Sequence, residues 1–572
     1  MSQQSASQIG VALRVIHELT EMNRGPFSEP PFSPGVRLAD HSYEATRDRS
    51  RKAAALLEKL QTVDDSIFPD ELALTLRLAR FDLKWKAREA DWYWHVFSPV
   101  RVYAMFAATS YCGGAALNRL GNSLAAFAFE RESDRDRYLG HVSDTARLID
   151  QFAERTVGQG ERKIVMPRQQ LENAGPLLDS ILRMFQRRLP VDESRLGRFS
   201  SSAFARETAS RVNDEIAPAI ARFKALLLDA DYRNNAPETV GLSQYPGGAE
   251  IYAELVQFCT TMEITAAEVH ERGLERMKSV RHGMARARDA AGFQGTDKEY
   301  LSALNTDPAW RAETAAEIEA AFRRYMDRMK PRLAEFFDFQ SPTPCAVSPL
   351  PAVLEPSMTF GYYDMPRKSK ARGEYFYNTA NMTSNNIINV AALNYHELEP
   401  GHHLHFSNQL TNETVHPLHN FAFYNAFNEG WAEYAAALAG EAHMYAEPGE
   451  MFGRLVMEAF LTSRLVVDTG MNIFGWSLEK ARDYMRENSF LSENEICSES
   501  LRYSCDTPAQ ALAYKLGDAE IMRLREKMHE ELGERFDIRD FHRAMLHPGG
   551  MPLSDLEWHV GRTMRKNAGR TK

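Results

Sequence analysis

The stretch that most constrains this chain lies between positions 394 and 405 and reads NYHELEPGHHLH. Four histidines and two glutamates fall within ten of its residues, a high density of metal-ligand side chains. Pro400 interrupts the stretch, and Gly401 follows it. Proline lacks a backbone N–H, and its ring clashes with the preceding turn of a helix. We therefore expect two helical segments with a break between them.

The spacing of the histidines decides which of them can share a metal ion. In the usual helical zinc motif, H-E-x-x-H, the histidines lie one turn apart, but here Pro400 stands four residues after His396. On a straight helix His396 and His403 would be about 10 Å apart, at roughly 1.5 Å per residue, which is too far for two ligands of one zinc ion. A bulge at Pro400–Gly401 would bring His402 to the second position. We predict His396 and His402 as ligands, with His403 as the alternative to His402; without a bulge there would be no metal site.

A second segment, NEGWAEY at positions 428–434, follows a short way downstream. Glu429 is the candidate third ligand, which would complete a set of two imidazoles and one carboxylate. Glu397, next to the first histidine, is the candidate general base. Glu433 lies one helical turn after Glu429, on the same face. It would either orient a ligand through a hydrogen bond or be a solvated charge.

At these residues the chain resembles the domain-of-unknown-function 885 family, whose hallmark is H-E-x-x-P-G-H with E-G-W-A downstream. The resemblance extends over roughly residues 40 to 565. Further segments that are similar to family blocks are YPGG at 245–248, HERGL at 270–274, DTG at 468–470, PAQALAYKLG at 508–517 and GGMPL at 549–553.

That family is similar to the mostly helical gluzincin zinc peptidases, such as thimet oligopeptidase, angiotensin-converting enzyme and Taq carboxypeptidase. The resemblance implies a mainly α fold, a large helical gluzincin-like peptidase fold with a small β-sheet beside a deep active-site cleft. It implies one Zn²⁺ ion as the cofactor. The residues it assigns are His396, His402 and Glu429 as zinc ligands, Glu397 as the general base, and Tyr514 and Arg502 as contacts to the substrate or the oxyanion.

Substrate contacts are expected from two parts of the chain. The short aromatic segments at 359–363 and 374–378 are typical of two strands of a small sheet. Their tyrosines would either line the cleft or pack within the sheet. Other contacts are expected from the segments downstream of the ligands. The expected substrate-binding residues are Tyr363, Tyr377, Asn472, Gln510 and Lys515.

Three positions depart from the family pattern. Asn472 stands where the family usually has histidine, His405 where it has glutamine, and Ala509 where it has glycine. A histidine at position 472 could bind substrate or stabilise an oxyanion. Asn472 therefore predicts altered specificity or chemistry, while the ligand set itself is intact.

The amino-acid composition and net charge limit the partners that the protein is expected to bind and the cellular compartment in which it is expected to occur. The formal charge of -10, with 26% charged residues, argues against general binding to nucleic acid or to an anionic membrane. No apolar run is long enough to span a membrane, and positions 1–23 do not have the pattern of a secretory signal. Five scattered cysteines are typical of reduced thiols in a cytoplasmic protein. We expect a cytoplasmic protein that acts on a short peptide or small amide; the sequence does not indicate its oligomeric state.

Proline-rich stretches suggest three regions. Residues 1–40 would form an N-terminal helix and a proline-rich loop, 41–340 a helical scaffold, and 341–572 the catalytic region with the metal site. The prolines between 338 and 357 predict a loop or linker between the last two.

The favoured function is zinc-dependent hydrolysis of amide or peptide bonds in short peptides. One alternative is a specialised zinc-dependent amide or lactam hydrolase of natural-product metabolism, which profiling with generic peptides would distinguish. Another is a non-catalytic metal-binding protein, which would be indifferent to Glu397→Gln. A di-iron oxygenase built on Glu399 and His402 would need a second E-x-x-H motif facing the first, and we find none that the sequence places opposite it.

Overall fold

The computed structural model describes residues 3–23, 37–99, 102–199, 201–350, 360–366, 370–379 and 386–570. Over these residues the fold is mainly α-helical with one small sheet, as predicted. The first helices are α1 Gln3–Asn23, α2 Tyr43–Gln61, α3 Asp70–Trp92, α4 Ala115–Ala125, α5 Asp134–Glu161, α6 Arg168–Arg188, α7 Glu193–Leu196, α8 Ser202–Arg211, α9 Ala217–Leu228, α10 Ala230–Asn234, α11 Gly248–Thr260 and α12 Ala266–Ala290. The later helices are α13 Asp297–Thr306, α14 Ala315–Met329, α15 Leu333–Phe336, α16 Val390–Glu397, α17 His402–Thr411, α18 Asn425–Glu441, α19 Pro448–Asn472, α20 Leu478–Asn488, α21 Glu493–Leu501, α22 Ala513–Leu532, α23 Ile538–Leu546 and α24 Leu553–Arg570.

Local sequence signals start the two long helices behind the site. α12 begins with a capping box, in which the Thr265 hydroxyl accepts a hydrogen bond from the Glu268 amide and the Glu268 carboxylate accepts one from the Thr265 amide. α19 has Pro448 in its first turn, where the missing N–H breaks no hydrogen bond of the helix. Among the described residues, no helix combines the length and apolar character needed to cross a membrane.

The sheet has three strands: β1 Cys345–Pro349, β2 Gly361–Asp364 and β3 Gly373–Tyr377. β3 is central, with β1 parallel on one side and β2 antiparallel on the other. The two aromatic strands were predicted, but the prediction of a loop at 338–357 was wrong for β1. Its Pro349 is tolerated because it ends an edge strand, where proline is least disruptive. The start of the first aromatic segment and the proline-rich positions 351–357 lie outside the described residues, as does the predicted loop at 24–36.

Side chains from both sides of position 340 share a hydrophobic core. Residues between 38 and 269 cluster with Leu465, Leu512 and Leu516, and α12 packs along α19. The predicted scaffold and catalytic region are therefore joined by common packing.

Two glycines bring α18 and α22 into backbone contact. A Cβ atom on Gly430 would lie 2.5 Å from the Cα atom of Gly517, and one on Gly517 would lie 1.9 Å from the carbonyl oxygen of Ala426. Only glycine fits at such an approach. This contact sets the candidate ligand segment of α18 directly against the start of α22.

Candidate metal centre

The four residues between α16 and α17 set the geometry of the centre. Here the helix breaks, as the sequence predicted. Gly401 is needed in the break because a Cβ atom there would lie 1.9 Å from the carbonyl oxygen of His396. Trp431 of α18 donates a hydrogen bond from Nε1 to the carbonyl oxygen of Pro400 over 3.1 Å. The break is thereby held against the helix that carries the acidic segment.

Three side chains converge at this point. The Nε2 atom of His402 lies 3.2 Å from Oε2 of Glu429, and the Nε2 atom of His396 lies 3.6 Å from the same oxygen. The two imidazole rings are nearly perpendicular, with centroids 4.9 Å apart. Among the described residues, these three are the one group of His, Cys, Asp and Glu side chains close enough to share a metal ion, with candidate ligand atoms within 4.8 Å of one another.

The donor set and its spacing fit zinc. Two ligand atoms that each lie about 2.0–2.1 Å from one tetrahedral zinc ion are roughly 3.3 Å apart, close to the two distances measured to Glu429. Two imidazoles and one carboxylate are also the ligand types of hydrolytic zinc sites that leave a fourth position open. His396, His402 and Glu429 would thus be the residues that hold the ion.

Glu433 lies behind the first imidazole. Its Oε1 accepts a hydrogen bond from Nδ1 of His396 over 2.9 Å. Its Oε2 accepts from Nζ of Lys515 and from Nη2 of Arg454, each over 3.1 Å. Of the two interpretations of Glu433, the solvated charge is wrong, because the carboxylate is almost completely buried. It orients His396.

The two cations belong to a larger buried ion network. Lys515 also contacts Asp518 over 2.7 Å, and Arg276 bridges Asp518 and Glu458 over 2.7 Å each. Three cations and three carboxylates thus alternate across helices α12, α18, α19 and α22. Pairing of this kind is what keeps buried charges from destabilising a fold. The members of the network are Arg276, Glu433, Arg454, Glu458, Lys515 and Asp518.

The pKa values of Glu433, Glu397 and His396 are each shifted from the ordinary value, for different reasons. Burial raises the pKa of Glu433, but Arg454 and Lys515 outweigh this and hold it well below its usual range. Burial also raises the pKa of Glu397, and here the neighbouring histidines offset only part of the effect, so that pKa stays above its ordinary value. Burial lowers the pKa of His396, but its contacts with acidic groups outweigh this and raise it to about 10. Before a metal ion binds, His396 therefore carries a proton on each ring nitrogen, and the ion would have to displace the one on Nε2.

Tyr514, Arg502 and Gln510 lie together on one side of the ligands. The ring of Tyr514 stacks on the imidazole of His396, with centroids 6.3 Å apart. Burial raises the pKa of Tyr514 to about 12, so its hydroxyl is a neutral donor. Arg502 donates from Nη2 to Oε1 of Gln510 over 2.8 Å. These three predicted residues are therefore neighbours in space as well as in sequence.

His403, the alternative ligand, is occupied elsewhere. Its Nδ1 lies 2.7 Å from the Tyr363 hydroxyl, and its Nε2 donates to the carbonyl oxygen of Thr343 over 2.8 Å. The Tyr363 ring in turn lies nearly parallel to that of His402, with centroids 6.3 Å apart. Tyr363 therefore borders the centre, whereas both nitrogens of His403 face away from it.

The structure does not place three predicted substrate-binding residues at the surface of the centre. Lys515 has a fully buried side chain that faces Glu433 and Asp518, so the expected substrate contact is replaced by a role in the ion network. Tyr377 is buried and donates its hydroxyl to the carbonyl oxygen of Ala315, the packing role that the sequence left open. Asn472 is completely buried as well.

The structure gives Asn472 a packing role, and it shows why glycine would suit position 509. Asn472 accepts from the backbone N–H of Leu242 over 2.9 Å and donates to the Tyr503 carbonyl over 2.9 Å and to Asp468, so it joins three chain segments and has no spare donor for a substrate. Ala509 has a φ of 65°, a left-handed conformation that glycine adopts more readily. His405, the third departure, is buried beside Phe406 with a pKa that burial lowers to about 3.

Sequence reasoning missed Arg454, Asp518, Glu458 and Arg276. A signal was present in α19, where Arg454 and Glu458 are charges at i, i+4 spacing in a helix whose other residues are mostly apolar. Such charges in a buried helix need partners. The partners themselves come from α12 and α22, at positions that no local pattern connects.

Comparison with known proteins places the chain in a family and gives it structural relatives. The family model described as "Bacterial protein of unknown function (DUF885)" matches residues 33–560. The fold is similar to a crystal structure of a candidate lipoprotein from Colwellia psychrerythraea, with a TM-score of 0.84 and 21% identity over 99% of this chain and 100% of the other. It is also similar to a candidate lipoprotein of unknown function from Shewanella oneidensis, with a TM-score of 0.68 and 16% identity over 96% and 99% of the two chains. No curated protein matched the sequence.

Proposed function

The chain belongs to the DUF885 family of bacterial proteins of unknown function, and we propose that it is a zinc-dependent hydrolase that cleaves amide or peptide bonds in short peptides. One observation carries the proposal. The Nε2 atoms of His396 and His402 approach the same oxygen of Glu429 at distances that suit a single zinc ion. Glu397, whose pKa is raised by burial, lies beside the first of these ligands.

Each neighbouring residue has a distinct task in this proposal. Zinc bound at the site would polarise a carbonyl group and lower the pKa of water. Glu397 takes up a proton from the attacking water and passes it to the leaving amine. The raised pKa of Glu397 favours that exchange near neutral pH. Tyr514 donates a hydrogen bond from its hydroxyl to the developing oxyanion, and Glu433 keeps the His396 ring in place.

The proposal includes a gluzincin-like peptidase architecture, with a substrate cleft beside β2 and the ligand set of that group. The order of the ligands along the chain, two histidines on one broken helix and a glutamate on a later helix, supports it. The alternative of a specialised small-molecule hydrolase was based on Asn472. Because Asn472 is buried and fully hydrogen-bonded, it offers no contact that favours this alternative.

The direct test uses purified protein stripped with a chelator and then reloaded with zinc. We expect cleavage of short fluorogenic peptides to be absent in the stripped protein, restored by about one equivalent of zinc, and lost in the zinc-loaded Glu397→Gln variant. A protein that binds zinc but cleaves no peptide in a broad library would contradict the hydrolase function. Cleavage by the stripped protein would contradict the role of the metal.

The proposal also extends to location and partners. We propose a cytoplasmic enzyme that binds neither nucleic acid nor membranes, in keeping with its net charge of -10 and its scattered cysteines. Fractionation of cells that produce the native protein at its normal level would test this. Recovery with the membrane fraction would contradict it.

A further inference from the structure

We propose that the substrates of this site carry a free carboxylate, the C-terminal carboxylate of a short peptide, and that Arg502 binds it. This inference rests on the proposed hydrolase function and specifies its substrate class. It makes the enzyme one that cleaves near the C-terminus of a peptide.

The guanidinium of Arg502 has donors to spare. An arginine side chain carries five N–H donors. Here Nη2 donates to Gln510 over 2.8 Å, and Nη1 has a long contact of 3.4 Å with Oε1 of Glu499. The buried Nε has no acceptor among the described residues. The side chain is 12% exposed, so part of it is open to a ligand.

Arg502 and Arg464 share one close ion-pair partner, Glu499, while Asp468 and Asp506 act on Arg502 only from a longer distance. Glu499 is shared, because its other oxygen accepts from Arg464 over 3.1 Å and from the Tyr503 hydroxyl. One carboxylate therefore serves two guanidinium groups. The nearby Asp506 forms no ion pair among the described residues, and its oxygens accept from Thr109 and from the backbone N–H of residue 111. A carboxylate from a substrate would supply the missing partner, and arginine is suited to bind it with two parallel hydrogen bonds.

Arg502 and Arg464 form a pair of guanidinium groups, and their position relative to the metal ligands suits the C-terminal end of a peptide substrate. Tyr514 separates the pair from the ligands, with its ring stacked on His396 on one side and with Cζ of Arg464 4.8 Å from the ring centroid. An extended peptide advances about 3.3–3.6 Å per residue. We therefore place the carboxylate beyond Tyr514, a few residues past the cleaved bond.

The test compares matched peptides that differ only at the C-terminus. One has a free acid, the second a C-terminal amide, and the third is an amide with glutamate as its last residue, which presents a side-chain carboxylate instead. Cleavage is measured with zinc-loaded wild type, and binding is measured by calorimetry with zinc-loaded Glu397→Gln, so that affinity is read without turnover. We expect the free acid to have at least a tenfold higher kcat/KM and a correspondingly lower Kd than either amide.

Arg502→Gln should remove this preference, and its zinc content and urea unfolding midpoint, measured beside wild type, show that the variant is folded and loaded. Arg502→Lys should retain part of the preference, and Arg486→Gln, which removes a surface charge on α20 paired with Glu493, should retain all of it.

Equal cleavage of acid and amide by wild type, or an unchanged preference in Arg502→Gln, would overturn the inference and leave the hydrolase function standing. A preference for the glutamate amide would assign the site to side-chain carboxylates and overturn the C-terminal assignment. If no peptide is cleaved, the proposed function fails, and the inference fails with it.

Discussion

Glu433 fixes the orientation of His396. A carboxylate can only accept hydrogen bonds, so the 2.9 Å contact between Oε1 and Nδ1 makes Nδ1 the donor. When a metal ion displaces the proton on Nε2, the imidazole that remains would direct the lone pair of Nε2 at the ion. Because Lys515 and Arg454 hold the other oxygen of Glu433, the carboxylate cannot rotate away, and the ligand is preset for a metal ion.

Zinc binding should depend on His402 and not on its neighbour. We expect about one zinc per chain in wild type and in His403→Ala, but much less in His402→Ala, because His402 directs a nitrogen at Glu429 and His403 does not. Elemental analysis of the three proteins, purified in parallel, measures this. An equal loss of zinc in His402→Ala and His403→Ala would mean that zinc binding depends on the packing of α17 and not on a particular ligand. Full zinc content in His402→Ala would show that His402 is not a ligand.

Glu397 should be needed for turnover and not for metal. Glu397→Gln keeps the shape of the side chain but cannot accept a proton, so we expect a loss of kcat of about 100- to 10,000-fold with unchanged zinc content. Glu399→Gln, two residues along in the helix break, is the matched control and should stay within a few-fold of wild type. Near-normal turnover in zinc-loaded Glu397→Gln would exclude it as the general base.

Removal of the charge on Glu433 should weaken zinc binding. In Glu433→Gln the amide is a poorer acceptor for the His396 N–H, and loss of such a partner typically costs about 10- to 100-fold in metal affinity. Competition with a chromophoric chelator gives the affinity. Glu441→Gln, on the same helix but paired with Arg525 at the surface, should bind zinc as wild type does. An unchanged affinity in Glu433→Gln would show that the ion network serves stability alone.

The Tyr514 hydroxyl should matter more than the Tyr377 hydroxyl. Tyr514→Phe removes the proposed oxyanion donor, and we expect kcat to fall about 100- to 1000-fold. Tyr377→Phe removes a hydroxyl that bonds to the Ala315 carbonyl in the core, so a small loss of stability with normal kcat is expected. Steady-state kinetics with one fluorogenic peptide would separate the two, and a normal kcat for Tyr514→Phe would assign the oxyanion to another donor.

Stability should fall in mildly acidic solution because of His419, which lies between the ligands His402 and Glu429 in sequence but is not one of them. Burial lowers the pKa of His419 to about 4 from an ordinary value of 6.5. The unfolded chain gains a proton below about pH 6.5 but the folded one does not, so this stability is present above pH 6.5 and is lost as the pH falls towards 4. The loss from this group is about 2 kcal/mol between pH 7.5 and 5.

Urea unfolding of wild type and His419→Gln at pH 7.5, 6 and 5 measures this contribution. The variant loses the bonds of the ring to Thr75 and to the Pro548 carbonyl, so it should be less stable at pH 7.5. Its stability should nevertheless decline less steeply with falling pH than that of wild type. Parallel declines in the two proteins would mean that His419 does not titrate in this range.

Much of the fold and of the candidate site could be predicted because the signals were local. A helical scaffold was predicted, and Pro400 with Gly401 predicted the helix break that brings His402 to His396. Aromatic alternation predicted β2 and β3. The strand β1 was missed because its pairing with β3 is a long-range contact, and its prolines read as a loop.

The sequence by itself determined the ligand types, their order along the chain and the point at which the helix must break, because each depends on residues within a few positions of one another. Only the tertiary structure decided that Lys515 and Asn472 are buried partners of other residues, that His403 faces away from the centre, and that Arg454 and Asp518 support Glu433. Those outcomes depend on which helices meet, and backbone contacts such as Gly430 against Gly517 are set by packing between segments distant in sequence.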